Sequence, residues 1–157
     1  MKIGNYEVFS IETGRFGLDG GAMFGVVPKT LWSKKIPSDP YNRINLASRT
    51  LLIFYKDRKI LVDVVCFHNF SEKQEEIYNV DYSKYSLKNS LSKFDLETTD
   101  ITDVILTHFH FDHAGGATQY KDKHLEPTFP LASYFTQKSQ WERALNPSEK
   151  DLSLIHI

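Results

Sequence analysis

Cysteine is nearly absent: Cys66 is the only one in 157 residues. This excludes an internal disulfide framework and a thiolate-rich zinc knuckle, and it fits a reducing compartment. An excess of either charge is also missing. Nineteen basic against twenty acidic residues leave a net charge of −1, and no long basic run occurs, so nucleic acid is not an expected partner. No apolar run approaches the roughly 18 residues that span a bilayer. Met1 to Ser10 carries Lys2, Asn5 and Glu7 without a continuous apolar stretch, so neither a signal peptide nor a membrane segment is expected, and the default location is cytoplasmic. Internal repeats, low-complexity tracts and flexible linkers are lacking too. So are the glycine pattern of a dinucleotide fold and the Lys-Ser/Thr of a P-loop.

What remains is a chain with 41% hydrophobic content, enough to bury a core and within the size range of one domain. Tyr6 to Thr13 alternates polar and apolar residues as a half-buried strand that Gly14 ends. Four glycines between Arg15 and Gly25 predict a β-turn between short strands. Pro28 to Asn45, with three prolines and Trp32, reads as an ordered loop, in which Trp32 either lines a pocket or pins the loop to the core. Thr50 to Tyr55 and Lys59 to Val65 read as strands joined by a hairpin at Lys56-Asp57-Arg58. Ser71-Glu72-Lys73-Gln74 is a capping box opening a helix to about Asn79. Leu87, Leu91 and Phe94 mark one face of a second helix. Ala132 to Phe135 is a weaker strand, followed by a helix that Thr136 would cap and that stops before Pro147.

The chemistry concentrates after a short β-branched run, Asp103-Val104-Ile105-Leu106-Thr107. His108, His110, Asp112 and His113 fall within six positions there. A lone histidine is most simply a satisfied polar group on a loop; four ligand-type residues this close together read as a metal site. Histidines at i and i+2 on extended backbone point to one side, so His108 and His110 can share an ion, while Phe109 and Phe111 face the core. Asp112 and His113 follow at a turn that Ala114-Gly115-Gly116 allows to bend sharply, and they can face a second ion. Imidazole and carboxylate without thiolate suit zinc, and also Fe or Mn. Asp63 interrupts an apolar strand and needs donors or a cation to offset its desolvation. It is either a partner standing behind a metal ligand or a strand-end carboxylate bonded to nearby backbone N–H groups.

The run Thr107-His108-Phe109-His110-Phe111-Asp112-His113-Ala114-Gly115-Gly116 resembles the HxHxDH signature of the metallo-β-lactamase-fold hydrolases. Ile60-Leu61-Val62-Asp63 resembles that family's earlier strand ending in Asp. Ile101 to Leu106 resembles the strand leading into its histidines, and Phe16 to Trp32 the N-terminal part of its lactonase-like members. The resemblance reaches about Lys150. It implies an α/β fold, an αββα sandwich of which the N-terminal half is present, and usually two zinc ions in a complete domain. His108 and His110 would then bind the first ion, Asp112 and His113 the second, with Asp112 also orienting the nucleophile and Asp63 behind the ligands. The implied activity is hydrolysis of a small ester-like molecule, a lactone by first choice, by metal-bound hydroxide. Alternatives are a glyoxalase II-like thioesterase or a phosphoesterase.

Two features depart from the family. Val64-Val65-Cys66 stands where AspThrGly usually continues. The downstream His and Asp ligands of complete members have no match either, because only His124, in a charged segment expected to be solvated, and His156 follow. The tail 152–157 does not continue the resemblance; it is similar to translated adapter sequence, with a genuine short strand as the alternative. Residues 1–157 therefore read as an incomplete domain. On its own such a chain is expected to be poorly soluble, inactive and at most a weak metal binder. Oligomeric state is left open.

Overall fold

A computed structural model describes residues 1–65 and 69–148; Cys66, His156 and the tail lie outside them. The chain opens with a short strand, β1 (Lys2–Ile3), that pairs antiparallel with β2 (Tyr6–Asp19). The β2 strand does not end at Gly14. A register shift between Glu12 and Gly14 absorbs the irregularity, and pairing with the next strand continues to Asp19. Gly14 is needed for close approach, since a Cβ there would stand 3.1 Å from the Tyr82 ring. The rest of the glycine-rich stretch is a helix, not a turn. Asp19 caps α1 (Gly20–Phe24) by accepting a bond from the Ala22 N–H at 2.8 Å.

The proline-rich segment contains the single turn α2 (Lys29–Trp32), and its last residues already belong to a long strand, β3 (Arg43–Tyr55). Trp32 is buried and stacks on Phe24 with ring centroids 4.8 Å apart, so it pins the segment. The β3 strand turns through Lys56-Asp57, with Lys56 at φ 51°, into β4 (Arg58–Val62). That strand is shorter than expected because Asp63 adopts φ 54°, which ends the extended run.

The capping box forms as read: Ser71 and Gln74 cap α3 (Glu72–Tyr78), which ends on left-handed Asn79. Ser86 caps α4 (Leu87–Ser92). Then follow β5 (Asp103–Leu106), the short α5 (Phe111–Ala114), and a hairpin of β6 (Thr118–Lys121) with β7 (His124–Pro127) that the polar, lysine-rich sequence did not announce. After β8 (Ser133–Thr136) comes α6 (Lys138–Leu145), which stops before Pro147 as expected. Thr136 does not cap it. Its hydroxyl instead donates to the Leu106 carbonyl at 3.0 Å, fastening β8 to β5.

The main sheet runs β1-β2-β3-β4-β5-β8, antiparallel as far as β4 and parallel from β4 through β5 to β8. Side chains alternate across it. On one face Ile11, Leu52, Leu61 and Val104 pack with Leu87 and Leu91 of α4 to form the core. The opposite face carries the row Leu51, Val62, Ile105 and Phe135, aligned by register across four strands. Leu51, Ile105 and Phe135 in that row are 42%, 38% and 48% exposed, so no described residue covers it. No described helix is long and apolar enough to cross a membrane.

Beside that row lies a nearly buried Asp103. Its carboxylate accepts bonds from the Arg58 guanidinium, with Nε at 2.9 Å, and from the Thr102 hydroxyl at 2.6 Å. The Arg58 bonds, helped by Thr102, hold its carboxyl below the ordinary range against the opposing effect of burial.

Two outcomes follow for stability. Leu61→Ala, which empties a fully buried position, should cost about 2–5 kcal/mol in denaturant unfolding. Arg58→Met should destabilise the chain most at neutral pH. A carboxyl whose folded pKa is depressed contributes stability above its unfolded pKa and loses it as pH falls through the folded value, so the difference between the two proteins should shrink in acid. Urea midpoints measured across the acid range read this directly; a gap independent of pH would exclude the ion pair as its cause.

Candidate metal centre

The parallel pairing of β4 with β5 sets Val62 beside Ile105, so the residues just beyond the two strand ends, Asp63 and Thr107, meet. Left-handed backbone at Asp63 turns its carboxylate toward β5. The Thr107 N–H donates to it at 2.8 Å, and Oγ1 of Thr107 lies 3.0 and 2.8 Å from its two oxygens. On the other side Nδ1 of His113 stands 2.8 Å from Oδ2. Burial alone would raise the Asp63 pKa, but the bonds from His113 and Thr107 outweigh it and the group is held below its ordinary value. An ionised carboxylate only accepts, so Nδ1–H of His113 is the donor and its Nε2 is left free.

The backbone locks the same residues. The Val64 N–H donates to the His113 carbonyl at 2.7 Å, and the Gly116 N–H to the Val64 carbonyl at 2.9 Å. Val64, which replaces the family's small residue after Asp, is fully buried in the core, so this departure forms a packed joint with the histidine segment. His110 stands at the N-terminus of α5, and Asp112 and His113 lie within that helix. Phe111 is buried with Phe16 and Val65, while Phe109 packs at the core edge against Trp141.

These connections bring His108, His110, Asp112 and His113 to one end of the sheet, all half-buried. The His108 ring lies 4.0 Å from that of His113 and 4.6 Å from that of His110, centroid to centroid. Nε2 of His113 is 3.7 Å from Oδ2 of Asp112. Burial and the neighbouring His113 and His110 push the His108 pKa down, while the bond to Asp63 raises that of His113 against its burial. His124 is exposed on β7, away from this group.

Among the described residues, no set of three or more His, Cys, Asp or Glu side chains is arranged to hold one ion. The donors fit a divalent metal in kind: imidazole and carboxylate, with the His108 and His113 rings side by side. In number they are short, since four donors shared between two ions leave each sphere at two.

A cavity of about 690 Å³ adjoins the group, with His110 and Asp112 at one end and Leu18, Met23, Ile77 and Tyr78 among its apolar walls. Arg43, not singled out by sequence, ties that wall together. Its Nε donates to Asp39 at 2.7 Å and its Nη1 to the Glu76 and Ile77 carbonyls at 2.6 and 2.9 Å, at the C-terminal end of α3. Thr107 was missed as well; a hydroxyl immediately before HxH was the available signal.

A family model described as the metallo-beta-lactamase superfamily matches residues 44–150. Among solved structures, a probable metal-dependent hydrolase from Staphylococcus aureus is 34% identical over 99% of this chain and 55% of its own, with a TM-score of 0.85. AidC, a dizinc quorum-quenching lactonase solved with a product, is 27% identical over 96% of this chain and 48% of its own, with a TM-score of 0.70. A quorum-quenching N-acyl homoserine lactone hydrolase, 22% identical with a TM-score of 0.61, is similar in fold. The chain spans about half the length of these relatives.

Asp63→Asn tests the electrostatics of the group. It keeps a residue type that tolerates left-handed backbone but removes the charge, so the His113 imidazolium should titrate at lower pH than in the parent. An NMR titration of the metal-free chain reads the shift; an unchanged His113 curve would mean that the carboxylate does not govern it.

Proposed function

The chain belongs to the metallo-β-lactamase superfamily, and on that premise we propose that it supplies the N-terminal part of a dinuclear zinc centre that hydrolyses a small ester-like substrate, a lactone by first choice. The observation that carries the reading is the gathering of His108, His110, Asp112 and His113 at one strand end, with Asp63 bonded to Nδ1 of His113. His108 and His110 would hold one ion, and Asp112 and His113 the other. Bound divalent ions of this kind polarise a carbonyl and make water acidic enough to supply a nucleophile near neutral pH. Asp112 would accept a hydrogen bond from that water and so orient it, while Asp63 keeps the His113 ring turned with Nε2 toward the centre.

The cavity beside His110 and Asp112 supports an uncharged substrate carrying an apolar group, because its walls offer Leu18, Met23 and Ile77, with Arg43 already committed to Asp39 and two carbonyls. That favours a lactone over a phosphodiester. The uncovered row Leu51, Val62, Ile105 and Phe135, and relatives about twice as long, support one domain in which residues to about 150 are the first half. A single cysteine supports a cytoplasmic setting.

The test is metal content and turnover of the full-length gene product on lactone, thioester and phosphodiester panels. Lactone turnover with about two zinc ions per domain is expected. His110→Ala should lower turnover by more than the roughly 10–100-fold typical of a residue standing behind a ligand. A metal-free product, or turnover indifferent to His110→Ala, would refute the proposal.

A further inference from the structure

Oγ1 of Thr107 lies within 2.8–3.0 Å of both oxygens of Asp63 and 3.0 Å from Nδ1 of His108. A hydroxyl has one proton to give. Asp63, ionised and acceptor-only, must receive it; if the proton pointed to His108 instead, lone pairs of the hydroxyl and the carboxylate would face each other at 2.8 Å. The Thr107 hydroxyl is then left with only acceptor capacity toward His108, so Nδ1 of His108 carries the proton and donates it. The carboxylate thereby fixes two rings, His113 directly and His108 through Thr107.

We propose that Thr107 is a positioning residue that holds His108 in the Nδ1–H tautomer, so that His108 and His113 both present unprotonated Nε2 atoms to the centre. This rests on the reading of the two histidines as metal ligands. Its physical content is separate, because an imidazole can coordinate only through a nitrogen without a proton, and a free ring divides itself between tautomers. Thr107 removes that division for His108. One carboxylate just beyond β4 thus orients ligands assigned to two different ions, through a relay of His108, Thr107, Asp63 and His113.

The relay is read on the metal-free, ¹⁵N-labelled full-length gene product at a pH where imidazole is neutral, by long-range proton–nitrogen correlation, which distinguishes the tautomers. Both His108 and His113 should be Nδ1–H. Thr107→Val, nearly isosteric but without the hydroxyl, should release His108 toward Nε2–H and leave His113 unchanged, whereas Thr107→Ser should restore the parent pattern. A purely structural role would move both rings or neither. Nε2–H at His108 in the parent, or no response of His108 to Thr107→Val, would overturn the proposal; should that variant fail to fold, the parent and Thr107→Ser spectra still decide. Competition of the full-length gene product for zinc against a chromophoric chelator gives the second readout, with affinity about 10–100-fold weaker in Thr107→Val and recovered in Thr107→Ser. A relay that responds as expected in a full-length gene product that binds no zinc in any form would support the tautomer assignment and refute the ligand reading.

Discussion

The charge of Asp63 sits at the end of a sheet strand, partly withdrawn from water, and the surrounding structure is arranged to solvate it. Three donors converge on it, the N–H and hydroxyl of Thr107 just beyond β5 and Nδ1–H of His113 in α5. Meeting them requires β4 to stop at Val62 and the backbone to enter a left-handed conformation, which asparagine and aspartate tolerate better than most residues. The turn then delivers Val64 into the core and into backbone bonds with His113 and Gly116. Strand end, histidine loop and short helix are therefore one unit, and the orientation of the imidazoles follows from the satisfaction of a carboxylate.

Much of this was legible in the sequence wherever the determining contacts are local. The capping box of α3, the hairpin after Tyr55, the Leu87 and Leu91 face and the histidine cluster each depend on neighbours within one turn or one alternation. Gly14 misled because its meaning comes from Tyr82, far along the chain, and from a register shift that lets β2 continue. Thr136 misled because Leu106 across the sheet competes for the hydroxyl that a cap would need. Asp63 was singled out because an apolar run made it conspicuous. Its partner Thr107 was not, since a threonine before a histidine looks ordinary until the parallel register brings the two together. Arg43 was hidden for the same reason, with its carbonyl acceptors lying in α3.

The cavity and the centre share their supports. Asp112 and His110 belong to both, and Tyr78, whose phenol is pushed up by burial and by the nearby Asp112, stands between the apolar wall and the acidic end. The wall is tied by Arg43 and the loop by Asp63, so the two sides of the cavity are held by separate sets of bonds.

The pairing of Asp63 with Thr107 spans 44 residues. Closing so long a loop costs chain entropy before any contact rewards it, and parallel pairing cannot form until the intervening segment has found its place on the sheet. The antiparallel β2–β3–β4 meander can assemble early, because each strand meets its neighbour through a shorter connection. The contacts that orient the histidines exist only where β5 lies beside β4, so a chain that has formed the meander alone still lacks the centre.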